Sequence, residues 1–170
     1  KRHAYKNAAP EDLWKALADA SRDPRIAEIG TKWVTQSGFP IVSVESTGKT
    51  SLKLSQRRFM ANGSKTESAV WPIPMVVSYQ LKGESKVRAH RFVFDRREAE
   101  VTLPGKGELL WVNANPRETG FYRSALSEDL RGKLLGDGFK RLTAIEKVGV
   151  LLFELLAAEP YLSGASEVEL

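Results

Sequence analysis

Apolar residues along this chain change their spacing twice, from helical to alternating and back to helical. Behind Pro10, whose fixed φ suits a first helical residue, Leu13, Trp14 and Leu17 form an apolar stripe, and Glu11 and Asp12 load the first turn with negative charge. Asp23-Pro24 predicts a second helix start with Asp23 as the cap. Ile26, Ile29 and Trp33 share one face of it, and Gly38 and Pro40 stop it. From Ile41 the period becomes two. Residues 41–44, a turn at Thr47-Gly48-Lys49, and Leu52 and Leu54 between polar neighbours predict a hairpin. After a polar loop at 61–68, further strands are predicted at 73–81, 87–94, 99–103 and 109–113, with Pro104-Gly105-Lys106-Gly107 read as a hairpin turn.

Short strands separated by turn residues predict a sandwich or a barrel. Helical spacing then returns. Ser127 is placed to cap a helix through Leu135 that ends at Gly136. Thr143-Ala144-Ile145-Glu146 is a capping-box pattern before a helix with Ile145, Val148, Leu152 and Leu155 on one face. Helices, then strands, then helices predict a mainly β chain, an all-β central unit flanked by helical pieces.

Composition narrows the class. In 170 residues, 42% hydrophobic and 28% charged content describe a soluble globular chain. No apolar run approaches the roughly 18 residues that span a bilayer, so no membrane partner is expected. The start, Lys1-Arg2-His3, has no signal-peptide core and no initiator methionine, which predicts an excised piece of a cytoplasmic protein. The absence of cysteine excludes disulfides and thiolate zinc sites. A net charge of +5 is modest, and its lysines and arginines are interleaved with acids, as on a solvated surface.

Catalytic chemistry is sparse. The two histidines, His3 and His90, have no partner at metal spacing, and there is no HExxH motif. Glu11-Asp12 and Glu128-Asp129 sit in first helical turns, where dipole compensation accounts for them. Arg88, Arg91, Arg96 and Arg97, interleaved with Phe92 and Phe94, allow an alternative reading, a stand-alone basic β-domain binding single-stranded nucleic acid. Strand alternation favours the plainer arrangement, aromatics inward and arginines to water.

A more specific pattern begins at Trp33. The run Trp33-Val34-Thr35-Gln36-Ser37-Gly38-Phe39-Pro40-Ile41-Val42-Ser43-Val44 resembles the junction between the catalytic and β-sandwich domains of the zinc aminopeptidases of the aminopeptidase N family, the gluzincins that include the archaeal and bacterial tricorn-interacting aminopeptidases. Glu11-Asp12-Leu13-Trp14, Leu52 to Phe59, Trp71-Pro72-Ile73-Pro74, Trp111-Val112-Asn113 and Gly120-Phe121-Tyr122-Arg123 resemble further stretches of the family in the same order.

The resemblance implies terminal helices of a thermolysin-like catalytic domain over 1–38, an immunoglobulin-like β-sandwich over 39–123, and the first helices of a C-terminal helical domain over 124–170. It implies zinc and peptide substrates for the intact enzyme. The HExxH motif, the distal glutamate, the GxMEN segment and a transition-state tyrosine are all missing here, Tyr5 being too near the end of the catalytic domain. No catalytic or metal residue and no cofactor are therefore expected in this chain, which reads as a non-catalytic scaffold fragment. Its partners would be the absent catalytic and helical domains, with self-association through exposed apolar surface. Junction residues by this reading are Trp33, Gly38, Phe39, Pro40, Tyr122 and Arg123, with Arg123 also a candidate contact for a peptide or neighbouring carboxylate.

Overall fold

The computed structural model describes residues 7–59 and 69–157, with backbone alone for 153–157. His3, Tyr5, the polar loop at 61–68 and the Leu155 side chain lie outside the described residues. Internal contacts divide the chain after Ser37 into two units.

The first unit holds α1 (Pro10–Ser21) and α2 (Arg25–Thr35). Pro10 opens α1, and Asp12 turns back to accept the Ala9 amide at 2.9 Å, so the acidic first turn also satisfies a backbone donor. Arg22, in the left-handed region at φ 56°, ends the helix. Asp23 accepts the Arg25 amide at 3.0 Å and pairs with the Arg25 guanidinium, but it is not the cap the sequence suggests: Pro24 holds that position, and no side chain caps α2. The helices meet where Trp14 lies over Gly30. A Cβ there would stand 2.3 Å from the indole, so glycine is what admits the ring. The stripe expected on α1 is split: Leu13 and Leu17 remain exposed, lying about 100° and about 60° round the helix from Trp14, on the same side of it.

The second unit contains two sheets. In the first, β1 (Pro40–Ser46) and β2 (Ser51–Arg58) form the expected antiparallel hairpin. β5 (Glu98–Thr102) lies outside β2, and β7 (Arg123–Leu126) pairs parallel to β1, for the order β5-β2-β1-β7. The second sheet centres on β3 (Ile73–Leu81), flanked by β4 (Arg88–Phe94) and β6 (Leu109–Asn113). Neither sheet closes into a barrel. Alternation is clearest on β2, where Leu52, Leu54 and Gln56 are buried, and on β3, where Ile73, Met75, Val77 and Tyr79 are. Gln56 holds the crossing between the sheets: its amide donates to the Trp71 and Arg96 carbonyls at 3.0 and 2.9 Å and accepts the Trp71 amide at 2.9 Å.

Three expectations are corrected here. The described helices and strands are of similar total extent, so the chain is of mixed α/β content rather than mainly β. The Pro104–Gly107 segment is not a hairpin turn, because β5 and β6 belong to different sheets. It passes between them, with the Leu103 and Leu109 amides donating to the Thr50 and Lys49 carbonyls. Nor does the helix after Ser127 end at Gly136. α3 (Glu128–Lys133) continues through a π-helical turn, Leu134–Gly138, and a 3₁₀ turn, Phe139–Arg141, before α4 (Ala144–Ala157). Gly138 allows this. Its missing Cβ would lie 3.0 Å from the Trp111 ring, so the turn settles directly on the indole.

Candidate functional site

The polar groups of the second unit converge where β6 ends. Asn113 donates to Glu146 Oε1 at 3.1 Å and accepts the Asn115 amide at 3.1 Å. The buried Asn115 side chain accepts the Gly120 amide at 2.9 Å and donates to the Gly120 and Tyr122 carbonyls. The Tyr122 hydroxyl closes the loop by donating to the Ala114 carbonyl at 2.6 Å. Burial and the charge of Glu118 push that phenol well above its ordinary range. Gly120 is required, because a Cβ would meet the Tyr122 ring at 2.1 Å.

Within this loop Arg117 and Glu118 both have positive φ, 60° and 52°, a conformation costing of order 1–3 kcal/mol for each such residue. Glu146 helps hold it, accepting the Arg117 amide at 3.0 Å. Its other oxygen caps α4 by accepting the Thr143 amide and hydroxyl, each at 2.6 Å. Burial works against ionisation of Glu146, but these hydrogen bonds outweigh it and hold the carboxyl below its ordinary range. Glu118 moves the other way: desolvation, aided by the charge of Glu146 and opposed by Arg123, raises it. A groove with a cavity of about 240 Å³ lies beside them, lined among others by Glu118, Arg123, Arg131, Leu134, Ile145 and Val148.

The junction residues divide between the units. Trp33 is half-buried on α2 in the first. In the second, Gly38 takes φ 85°, Pro40 is buried at the start of β1, and Phe39 stacks on Phe59 at 4.8 Å and tilts against Phe121 at 5.9 Å. Arg123, at the start of β7, places its guanidinium 5.9 Å from the Phe39 ring centre. The structure therefore brings together Phe39 and Arg123 of the expected set, whereas Tyr122 is buried in the 114–120 turn. Sequence reasoning missed Asn115, Glu118 and Gly149. Only Asn115-Pro116, a turn signal, could have flagged any of them.

The basic strand does not form one platform. Arg91 is exposed, on the strand face opposite Arg88, His90 and Phe92. Arg88 is committed to Glu84 at 2.6 and 2.8 Å, and Arg96 lies 3.4 Å from Asp95. The His90 ring leans on Phe92 at 5.5 Å. Among the described residues, no three histidines or carboxylates are grouped to hold a metal, and no helix is long and apolar enough to cross a membrane.

Chemically, the arrangement fixes chain segments to one another. Glu146 ties β6, the 117 turn and α4 through four donors, and Arg123 faces both the aromatic cluster and the groove.

No family model matches the chain. It is 31% identical over 156 residues to the puromycin-sensitive aminopeptidase of Caenorhabditis elegans and 32% identical over 162 residues to aminopeptidase M1 of Arabidopsis thaliana. It is 34% identical over 152 residues to a probable M1 family aminopeptidase of Encephalitozoon cuniculi. Each alignment covers 89% of this chain, which spans only 16–18% of the length of these relatives. The chain is a homologue, over about nine-tenths of its length, of one part of the M1 family aminopeptidases.

Proposed function

We propose that this chain is the scaffold and linker stretch of a zinc-dependent aminopeptidase and takes no direct part in catalysis. In this reading, residues 39–123 are an immunoglobulin-like sandwich, 1–38 the closing helices of the catalytic domain, and 124–170 the opening helices of a C-terminal helical domain. The observation that carries it is the collinear match of nearly the whole chain to one short stretch of much longer aminopeptidases. Strand order supports the sandwich. The first strand lies beside the second and the second beside the fifth, with the third beside the sixth in the other sheet, as in immunoglobulin-like domains. The seventh departs by joining the first.

The partners are the catalytic and helical domains of such an enzyme, which would hold the zinc and the peptide. Arg123, exposed at the head of β7, is suited to receive a carboxylate from one of them. The test is turnover of a panel of aminoacyl fluorogenic substrates, with and without added zinc, alongside metal analysis of the protein. No turnover and no bound zinc are expected. Zinc-dependent hydrolysis by this chain would overturn the scaffold reading.

α4 leaves Ile145, Val148, Leu151 and Leu152 exposed. An apolar row of this kind favours association when no other helix covers it. Light scattering across a concentration series should show the apparent mass rising towards about twice the monomer value, and Val148→Glu with Leu152→Glu should abolish the rise. A monomer at every concentration would count against the idea.

A further inference from the structure

We propose that the open edge of β7 is a docking site for an extended peptide strand of alternating apolar and acidic residues, added to the first sheet along the groove beside α4. The site lies within the second unit and is independent of the scaffold reading. Backbone direction carries it. At the head of β1 the Phe39 carbonyl accepts the Phe59 amide at 2.8 Å, so Ile41 and Ser43 turn their backbone groups to β2, and Val42 and Val44 turn theirs to β7. Val44 accepts the Ser127 amide at 2.9 Å. Alternation along β7 then turns Arg123 and Ala125 to β1 as well, and it leaves the N–H and C=O groups of Ser124 and Leu126 facing outward. β7 ends the sheet, and among the described residues these four groups have no hydrogen-bond partner. A further extended chain is the structure that satisfies such a row.

The surroundings decide which chain fits. Ser124 and Leu126 line the same groove as Arg123. Their side chains share the sheet face of Val42 and Val44. Leu126 packs with Val150 of α4 on the Trp111 cluster, which puts α4 on that face. A strand added beside β7 would present alternate side chains there, to Val148 and Leu152, which are 53% and 48% exposed. The intervening side chains would share the opposite face with Arg123, which is exposed at the head of the strand. Arg123 and Arg131 outnumber Glu118 among the charged groups of the groove. Apolar residues on one face and carboxylates on the other complement these two surfaces. The far edge of the same sheet offers no such fit, because β5 carries exposed Glu98 and Glu100, which repel an acidic strand.

The experiment is a ¹⁵N NMR titration of the whole chain, dilute enough to be monomeric, with an acetylated and amidated hexapeptide of alternating valine and glutamate. The Ser124 and Leu126 amides should shift and gain protection from hydrogen exchange. Only alternate peptide nitrogens can face β7. N-methylation of the valines or of the glutamates should therefore weaken binding about tenfold or more in one case and little in the other. Replacing glutamate by lysine in the peptide, or Arg123→Gln in the protein, should each weaken it about tenfold. Absence of any shift at millimolar peptide, shifts confined to α4, equal affinity of the parent and both methylated peptides, or equal affinity of the lysine peptide would each overturn the proposal. So would protection of the two amides that rises with protein concentration in the absence of peptide, which would assign the edge to a second copy of the chain.

Discussion

Replacing Glu146 with alanine should destabilise the second unit by about 3 kcal/mol, with α4 affected first. Glu146 is 6% exposed and serves four donors: the Asn113 amide group, the Arg117 backbone N–H, and the backbone N–H and hydroxyl of Thr143. A buried donor left without a partner costs about 1–3 kcal/mol, and more when the lost acceptor was charged. Asn113 is buried and should bear most of this. Thr143 is exposed, so water can replace part of its loss. Glu146→Gln separates charge from shape. It keeps one carbonyl acceptor but turns an NH₂ towards existing donors, so an intermediate loss of about 1–2 kcal/mol is expected. Urea unfolding of the three proteins would read the series. Near-equal stability of wild type and Glu146→Ala would mean that α4 is held by its apolar contacts alone.

That result would also bear on the strained turn. Left-handed Arg117 and Glu118 persist because the Arg117 amide has a fixed acceptor and because Asn115 and Tyr122 close the loop around them. Without Glu146, the least costly relaxation is for Arg117 and Glu118 to return to right-handed backbone, which would lift Glu118 off Gly149. The capping of α4 and part of the support for the strained turn thus come from one buried carboxylate.

Much of the β region was legible in the sequence because strand alternation is a local signal. The runs at 73–81 and 109–113 match β3 and β6, and the hairpin at 47–49 is where the turn residues put it. β7 was missed. It has four residues, none fully buried, and its pairing is parallel to β1 from some eighty residues earlier, which no local period records. The reading of residues 104–107 as a hairpin failed for a related reason: turn residues announce a change of direction but not which sheet the chain joins next. Gly136 and Gly138 show the limit for helices. Both could end one by sequence, yet neither does, and what distinguishes Gly138 is the Trp111 ring against its backbone.

The candidate site was legible in part. Phe39, Tyr122 and Arg123 were recognisable as motif residues, and Thr143 to Glu146 as a helix start. That one Glu146 oxygen also serves Asn113 and Arg117 could not be read, because the capping box accounts for the residue fully by itself. Glu118 and Gly149 lie 31 positions apart with no shared pattern. Only the left-handed turn brings them together.

Trp111→Ala should cost about 3–5 kcal/mol, the usual range for deleting a buried aromatic of this size. The indole is 2% exposed at the centre of a cluster with Leu134 and Leu142, and Leu126, Phe139 and Val150 pack around it. Deletion would open a cavity that Gly138 cannot fill, because glycine brings no side chain to collapse inward. It would also remove the donor at 3.1 Å from Gln80 Oε1, leaving a buried acceptor unpaired. Trp111→Phe divides these effects. It keeps most of the apolar volume but loses the N–H, so a cost of about 1–3 kcal/mol, dominated by Gln80, is expected. Because Val150 of α4 rests on the same cluster, hydrogen exchange in α4 should quicken in Trp111→Ala and much less in Trp111→Phe. If both variants lost the same stability, the hydrogen bond to Gln80 would be the dominant contribution of the indole. If Trp111→Ala lost under about 1 kcal/mol, the π-helical turn must close over the vacancy, and Gly138 would then mark a point of adjustment rather than a fixed contact.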